Sequence, residues 1–148
     1  MGASKQHQDL IRVIRLWVES NPPCNQFDNR FDLRGCHRPS SIYSKDKTVK
    51  KSIPDYFGIS HDSKTCYIGE AKTDVPGQSV FDSRCDRQIK AFFDYLIRCK
   101  FVSSMFLLAI PASDLDAAKY FIAKIKEETG YSGSVIYFTK EGKVDSDS

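Results

Sequence analysis

The chain has 148 residues and a mass of 16.8 kDa, which suits one domain of ordinary size. Hydrophobic residues make up 41% of the sequence and charged residues 28%, which excludes a disordered chain and provides enough apolar material for a core. The net charge is only +3, and no apolar stretch reaches the ~18 residues of a membrane-spanning helix. The N-terminus lacks the apolar segment of a secretory signal, so we expect a cytoplasmic protein whose five cysteines are reduced.

The first half of the chain predicts one helix followed by strands. Apolar residues recur at helical spacing over residues 6–19, and the Pro-Pro pair that follows ends this helix. A mixed polar and apolar stretch around 41–51 suits an edge strand. Alternating patterns predict strands over 52–60 and 64–73, and the short polar link between them predicts an antiparallel hairpin.

The second half alternates helices and strands. Residues 83–100 form a strongly amphipathic helix, and the continuous apolar run at 104–110 suits a central strand covered on both faces. Ser113 is the expected N-cap of a further helix, and Gly130 suits its C-terminal cap. A last strand is predicted over 134–139.

The resulting order is α-β-β-β-α-β-α-β, which predicts an α/β fold with a mixed sheet and helices on both faces. We expect a single domain over residues 1–142. The polar residues 143–148 are expected to form a flexible tail.

Three ionisable residues on the predicted hairpin form the strongest candidate site. Pro54-Asp55 lies on one strand, and Glu70-Ala71-Lys72 lies on the next. Glu70 and Lys72 are two positions apart, so their side chains leave the same face of the strand. Asp55 can lie on that face across the hairpin, which would bring two carboxylates and an ammonium together.

These residue types suit metal-dependent phosphodiester hydrolysis. Mg²⁺ prefers hard oxygen ligands, so Asp55 and Glu70 fit it, and the backbone carbonyl of Ala71 can add a third ligand. A bound metal would polarise a phosphoryl oxygen and acidify a water, while Lys72 would orient that water and neutralise developing charge. The alternative interpretation is an exposed surface ion pair of small energetic value.

The segments Ile53-Pro54-Asp55-Tyr56-Phe57 and Ile68-Gly69-Glu70-Ala71-Lys72 resemble the motif of the PD-(D/E)XK nuclease superfamily. That superfamily includes restriction endonucleases and Holliday-junction resolvases. The resemblance implies a restriction endonuclease-like core of order αβββαβ, here followed by a C-terminal αβ. It also implies Asp55 and Glu70 as metal ligands, Lys72 as the catalytic lysine and Mg²⁺ as the cofactor, for which Mn²⁺ can substitute.

Two further positions follow from the resemblance. Some members add an acidic ligand from the first helix, and Glu19 is the candidate by order and spacing, although the helical wheel places it opposite the apolar face. Many members carry a polar residue on the helix after the motif, where this chain has Gln88. Gln88 can hold the lysine, the water or a phosphate, or it can be an ordinary exposed residue.

A basic segment precedes the strand of Asp55. Residues 30–51 contain seven basic and two acidic residues, a local net charge of +5. This segment is either a solvated face or a cationic rim that follows a nucleic-acid backbone. The candidate nucleic-acid-binding residues there and on the following helix are Arg34, Arg38, Lys45, Lys47, Lys50, Lys51, Arg84 and Arg87.

The sequence therefore predicts a Mg²⁺-dependent DNA endonuclease that is structure-selective or directed by a partner protein, and a homodimer if it cuts both strands. The alternatives are a restriction-type enzyme, a catalytically silent nucleic-acid-binding module with a nuclease fold, and an α/β domain whose motif is coincidental. Cys24, Cys36 and His37 form a weaker zinc candidate because their spacing is irregular. His7 lies on the apolar face of the first helix and is interpreted as a histidine at the edge of the core.

Overall fold

The computed structural model describes residues 5–20, 54–60, 64–73, 81–99 and 101–147. In these ranges, three helices accompany a mixed sheet of five strands, with β1 to β5 adjacent in chain order. β1 and β5 pair antiparallel with their neighbours, while β2, β3 and β4 run parallel. The elements are α1 (Lys5–Ser20), β1 (Tyr56–Ile59), β2 (Thr65–Ala71), α2 (Ser83–Cys99), β3 (Ser103–Ala109), α3 (Leu115–Thr129), β4 (Ser134–Thr139) and β5 (Gly142–Asp147).

The central strand β3 explains why the sheet is covered on both faces. Its residues 106–109 are fully buried, as the continuous apolar run predicts. Alternate side chains along such a strand face opposite layers, so each layer needs its own helical cover. Phe106 and Leu108 belong to one apolar cluster, and Leu107 and Ala109 belong to the other.

The helices divide between these two layers. α1 covers one face through its buried stripe of Leu10, Ile14 and Val18. The other face is covered by α2 and α3, whose buried residues include Phe92 and Ile122. The predicted α/β class with helices on both sides of a mixed sheet is confirmed. No helix in the described parts of the chain is both long and apolar enough to cross a membrane.

Two local predictions can be compared with the structure around α3. Gly130 is the C-cap at φ 80°, and its N–H donates to the carbonyl of Lys126, which confirms the predicted cap. The predicted N-cap at Ser113 is wrong. A short 3₁₀ turn over Ala112–Asp114 follows Pro111, and Asp114 occupies the N-cap position without a side-chain capping bond. The strand predicted around 41–51 lies outside the described residues.

The predicted flexible tail is also corrected. β5 covers Gly142–Asp147 and pairs with β4, with an irregularity in register between Tyr137 and Phe138. Tyr137 donates a hydrogen bond of 2.9 Å to Asp147, and Lys119 on α3 binds the Asp145 carboxylate. Polar composition alone suggests fraying, but these contacts with β4 and α3 hold the segment at the sheet edge.

Replacing Tyr137 by phenylalanine tests this docking. The Tyr137 ring is fully buried, so the substitution keeps its packing and removes only the bond to Asp147. We expect a loss of about 1 kcal/mol in the free energy of unfolding, measured by urea denaturation. An unchanged unfolding midpoint would indicate that β5 does not hold this contact in solution.

Candidate active site

The hairpin register brings the two predicted carboxylates together. β1 pairs Tyr56 with Gly69, which places Asp55, just before the strand, beside Glu70. The Asp55 N–H donates to Glu70 Oε1 at 3.1 Å, and the Ala71 N–H donates to Asp55 Oδ2 at 2.8 Å. Each carboxylate is therefore held by the backbone of the other strand, which fixes both side chains at one edge of the sheet.

Lys72 completes the cluster where β2 ends. Its backbone N–H continues the ladder by donating to the Ala109 carbonyl at 3.0 Å, which orients the residue. Its Nζ lies 3.2 Å from Glu70 Oε2 and donates to Gln88 Oε1 at 2.6 Å. The structure thus brings together Asp55, Glu70, Lys72 and Gln88, the four residues that the sequence nominates as catalytic.

The position at which helix α2 begins determines where Gln88 lies relative to Lys72. Asp82 Oδ1 accepts from the Cys85 N–H at 2.9 Å, which satisfies a free donor in the first turn. Cys85 and Ile89 are buried against the sheet, so the intervening Gln88 lies at the flank of the buried stripe. That flank meets the end of β2, where Lys72 emerges.

The electrostatics of Glu70 distinguish this cluster from a surface ion pair. Glu70 is only 4% exposed, whereas exposed pairs contribute little because water screens them. Burial, followed by repulsion from Asp55, raises the pKa of Glu70 to about 8, although the Lys72 ammonium opposes the shift. The Glu70 carboxylate therefore lies in a buried environment that disfavours its ionised form.

The donor chemistry fits a hard divalent cation. Asp55 and Glu70 offer carboxylate oxygens, and Ala71, whose N–H binds Asp55 Oδ2, directly follows Glu70 in the chain. Within the described ranges, no three His, Cys, Asp or Glu side chains form a ready metal cluster. Mg²⁺ does not require one, because it is commonly bound through one or two carboxylates with waters and substrate phosphates. A bound cation would favour the ionised form of Glu70 against the burial and the repulsion from Asp55 that raise its pKa.

His7 is a member of this neighbourhood that the sequence interpretation missed. Its Nε2 lies 3.1 Å from the Ala71 carbonyl oxygen and 3.3 Å from Asp55 Oδ2. His7 lies three residues before Leu10 and seven before Ile14, which places it on the stripe of α1 that packs against the sheet. This spacing is the sequence feature that could have identified it. A histidine at the end of such a stripe can face a polar edge of the sheet instead of the core.

Glu19 is not brought to the cluster. It lies twelve positions after His7 on α1, which is about 18 Å along a helix at ~1.5 Å per residue. The helical turn that contains Glu19 lies near β4, because Trp17 packs edge-on against Phe138 of that strand with ring centroids 5.5 Å apart. The structure therefore gives no support to Glu19 as a ligand beside Asp55.

The predicted nucleic-acid-binding residues are only partly described. Arg84 and Arg87 are exposed in the first turns of α2, on either side of the buried Cys85 and close in sequence to Gln88. The remaining candidates lie outside the described residues, as do the zinc candidates Cys24, Cys36 and His37. The basic candidates outside the described residues are Arg34, Arg38, Lys45, Lys47, Lys50 and Lys51.

Comparison with protein-family models, with curated proteins and with solved structures found no match for this chain. The evidence for the candidate site is therefore the geometry of the residues that form it. Cys85, a buried thiol in the first turn of α2, does not supply a nucleophile, because burial raises its pKa to about 12 and keeps it protonated near neutral pH. The polar chemistry of the cluster comes from its carboxylates, its ammonium and its amide.

A cavity of about 600 Å³ lies near the cluster, where the first turn of α1 meets the residues that follow β3 and β4. Its lining includes Lys5 and Lys140 but also Asp9 and Glu141. Two cations and two carboxylates cancel, so this cavity shows no preference for a polyanion. At the start of α2, the exposed Arg84 and Arg87 alternate with Asp82 and Asp86, so this segment also carries no net charge.

Proposed function

We propose that this protein is a Mg²⁺-dependent DNA endonuclease with a restriction endonuclease-like fold and a PD-(D/E)XK active site. The observation that supports this most directly is the buried Glu70 carboxylate held between Asp55 and Lys72. A buried acid with a raised pKa, a second acid and an ammonium at one sheet edge are a functional-site combination.

Asp55, Glu70 and the Ala71 carbonyl would hold the metal ion. When bound, Mg²⁺ supplies positive charge that polarises a phosphoryl oxygen and acidifies a water. The chain's own task is to keep the oxygens in place, and the backbone donors from Asp55 and Ala71 do so across the hairpin. Preorganised groups of this kind need little rearrangement when the substrate binds.

Lys72 would act on the scissile phosphate and on the attacking water. An ammonium has three N–H donors, and contacts with Glu70 and Gln88 engage two of them. The third can be directed to a phosphate oxygen or to a water. The Lys72 side chain is 19% exposed, so a substrate can approach it from solvent.

DNA is proposed as the substrate because basic residues adjoin the cluster. Arg84 and Arg87 are exposed at the start of α2, whose second turn holds Gln88. Arginine contacts with phosphates position a duplex without reading its sequence. Phosphate contacts of this kind would suit an enzyme that recognises DNA structure or is directed by a partner protein.

A cleavage assay tests the proposal. Purified protein is incubated with Mg²⁺ or Mn²⁺ and with supercoiled plasmid, linear duplex, single-stranded DNA, single-stranded RNA or a four-way junction. Asp55→Asn is the matched inactive variant, and Asp94→Asn, on the same helix as Gln88 but away from the cluster, is the control. We expect metal-dependent cleavage by the wild type and by Asp94→Asn, and none by Asp55→Asn.

The substrate preference then separates the alternatives. Preferential cutting of the junction supports a structure-selective enzyme, and discrete duplex fragments support a restriction-type enzyme. Absence of cleavage together with DNA binding that neither metal nor Asp55→Asn alters would overturn the proposal in favour of a binding module.

The role of Gln88 has its own expected result. Gln88→Ala removes the acceptor that fixes Lys72, while Glu70 continues to hold the ammonium. We expect kcat to fall by about 10-fold to 10²-fold with KM little changed, because the lysine is still present but less well oriented. Equal kcat values for Gln88→Ala and wild type would contradict a positioning role.

A further inference from the structure

His7 joins the first helix to the end of β2. Its Nε2 lies 3.1 Å from the carbonyl oxygen of Ala71, which is 64 positions away in the chain. A carbonyl oxygen can only accept a hydrogen bond, so Nε2 carries the hydrogen in this contact. Helix packing places the imidazole there, because Leu10 and Ile14 are buried one and two turns later on the same helix. The helix approaches β2 closely because Gly69 has no side chain: a Cβ there would lie 2.9 Å from Ile14 Cγ2.

The same nitrogen faces the carboxylate of Asp55. His7 Nε2 lies 3.3 Å from Asp55 Oδ2, and that oxygen also accepts from the Ala71 N–H at 2.8 Å. His7, Ala71 and Asp55 therefore form a closed set of contacts, in which α1 and the backbone of β2 hold one carboxylate oxygen. Donors from two different elements restrain the rotation of the carboxylate and so fix the direction in which Oδ1 points.

We propose that His7 is a positioning residue, which orients the Asp55 carboxylate through its Nε2–H and does not itself bind an ion. The inference rests on the proposed function, since it concerns an acid that would hold the metal. The buried stripe of α1 docks the helix without His7, whose side chain remains 24% exposed. The polar contacts of His7 therefore act on Asp55 and Ala71 and not on the core. They leave the Ala71 carbonyl able to bind a further partner, because its oxygen has two lone pairs.

Substitutions that separate the N–H donor from the ring test this role. His7→Phe keeps an aromatic ring but removes the donor, and His7→Gln restores an N–H donor on a side chain of similar reach. Gln6→Ala, a change at an exposed neighbour on the same helical turn, is the control. Cleavage kinetics with Mg²⁺ are measured for each variant, and urea denaturation gives its free energy of unfolding.

We expect the kcat of His7→Phe to fall by about 10-fold to 10²-fold with KM little changed, because the substrate contacts remain while the carboxylate is less well oriented. His7→Gln should recover most of the lost kcat, and Gln6→Ala should cleave like the wild type. A role limited to docking α1 would instead lower the free energy of unfolding of His7→Phe and leave its kcat unchanged.

The location of the hydrogen on the imidazole is a readout that does not depend on activity. In protein labelled with ¹⁵N-histidine, long-range ¹H–¹⁵N spectra show which ring nitrogen carries a hydrogen, and the signals absent from His7→Phe belong to His7. We expect Nε2 to carry a hydrogen in the metal-free wild type, and we expect Asp55→Asn to shift its resonance. If His7→Phe does not fold, His7→Gln provides the same assignment.

The outcomes that would overturn the inference differ in what they mean for the function. An Nε2 atom without hydrogen, or equal kcat values for His7→Phe and a wild type that cleaves DNA, would remove the positioning role and leave the nuclease proposal intact. Failure of the wild type to cleave any of the DNA or RNA substrates with Mg²⁺ or Mn²⁺ would remove both.

Discussion

Glu70→Gln is expected to abolish metal-dependent cleavage and, above pH 8, to stabilise the metal-free protein. Glutamine keeps the size of the side chain but loses the carboxylate that would bind the ion, so we expect cleavage to fall by about 10³-fold or more. The gain in stability arises because the wild-type protein must bury a charge beside Asp55 at high pH. A residue that costs stability in the absence of its ligand is typical of a functional site.

The sign of the pH dependence follows from the direction of the pKa shift. Burial raises the pKa of Glu70 from its ordinary 4.5 to about 8. Between these values the folded protein retains a proton that the unfolded chain has released, so the free energy of unfolding falls as pH rises. The contribution of Glu70 is complete below pH 4.5 and is lost by about pH 8.

At full ionisation the folded protein bears the cost of burying the Glu70 carboxylate beside Asp55, a cost that glutamine avoids. Glutamine also forfeits the ion pair with Lys72, so we expect a net gain of about 1–3 kcal/mol. Urea denaturation of wild type and Glu70→Gln in a chelator, at pH 5 and pH 9, measures the difference. Curves whose separation does not change between the two pH values would show that Glu70 is not protonated in the folded protein.

Lys72→Ala is expected to lower kcat by about 10³-fold while leaving Mn²⁺ binding in place. The substitution removes an ammonium that contacts both Glu70 and Gln88, but it leaves both carboxylates and the Ala71 carbonyl. Single-turnover cleavage measures the rate of the chemical step, and calorimetry measures the affinity for Mn²⁺. Loss of activity with the metal still bound would show that Lys72 acts in the chemical step and is not needed for metal binding.

Lys124→Ala provides the matched control, because Lys124 is an exposed lysine on α3 that lines a groove between α2 and α3. It should retain wild-type cleavage. A Lys72→Ala enzyme that cleaves at the wild-type rate would contradict a catalytic role for the lysine.

The hairpin could be predicted because its information is local. Alternation over β1 and β2 fixes which side chains share a face, and the short link fixes their antiparallel pairing. Those two facts suffice to place Asp55 beside Glu70 and Lys72 beyond them, as the structure has them. The apolar run of β3 likewise predicts its central, doubly covered position.

The errors occur where long-range contacts outweigh local preference. β5 is polar, yet pairing with β4 and the bond from Tyr137 to Asp147 hold it in the sheet. Ser113 is a favourable N-cap residue, but a 3₁₀ turn after Pro111 moves the start of α3 to Leu115. In both cases the composition indicates the conformation that the segment would prefer in isolation.

The sequence by itself determined the hairpin motif, the α/β class and the chemical types gathered at the site, because side-chain alternation and helical periodicity are properties of short segments. Only the tertiary structure decided which end of α1 meets the cluster. His7 and Ala71 are 64 positions apart, and the packing of Ile14 over Gly69 sets their contact. The crossing direction of a helix on a sheet depends on the shapes of two surfaces, which no periodicity within either segment encodes.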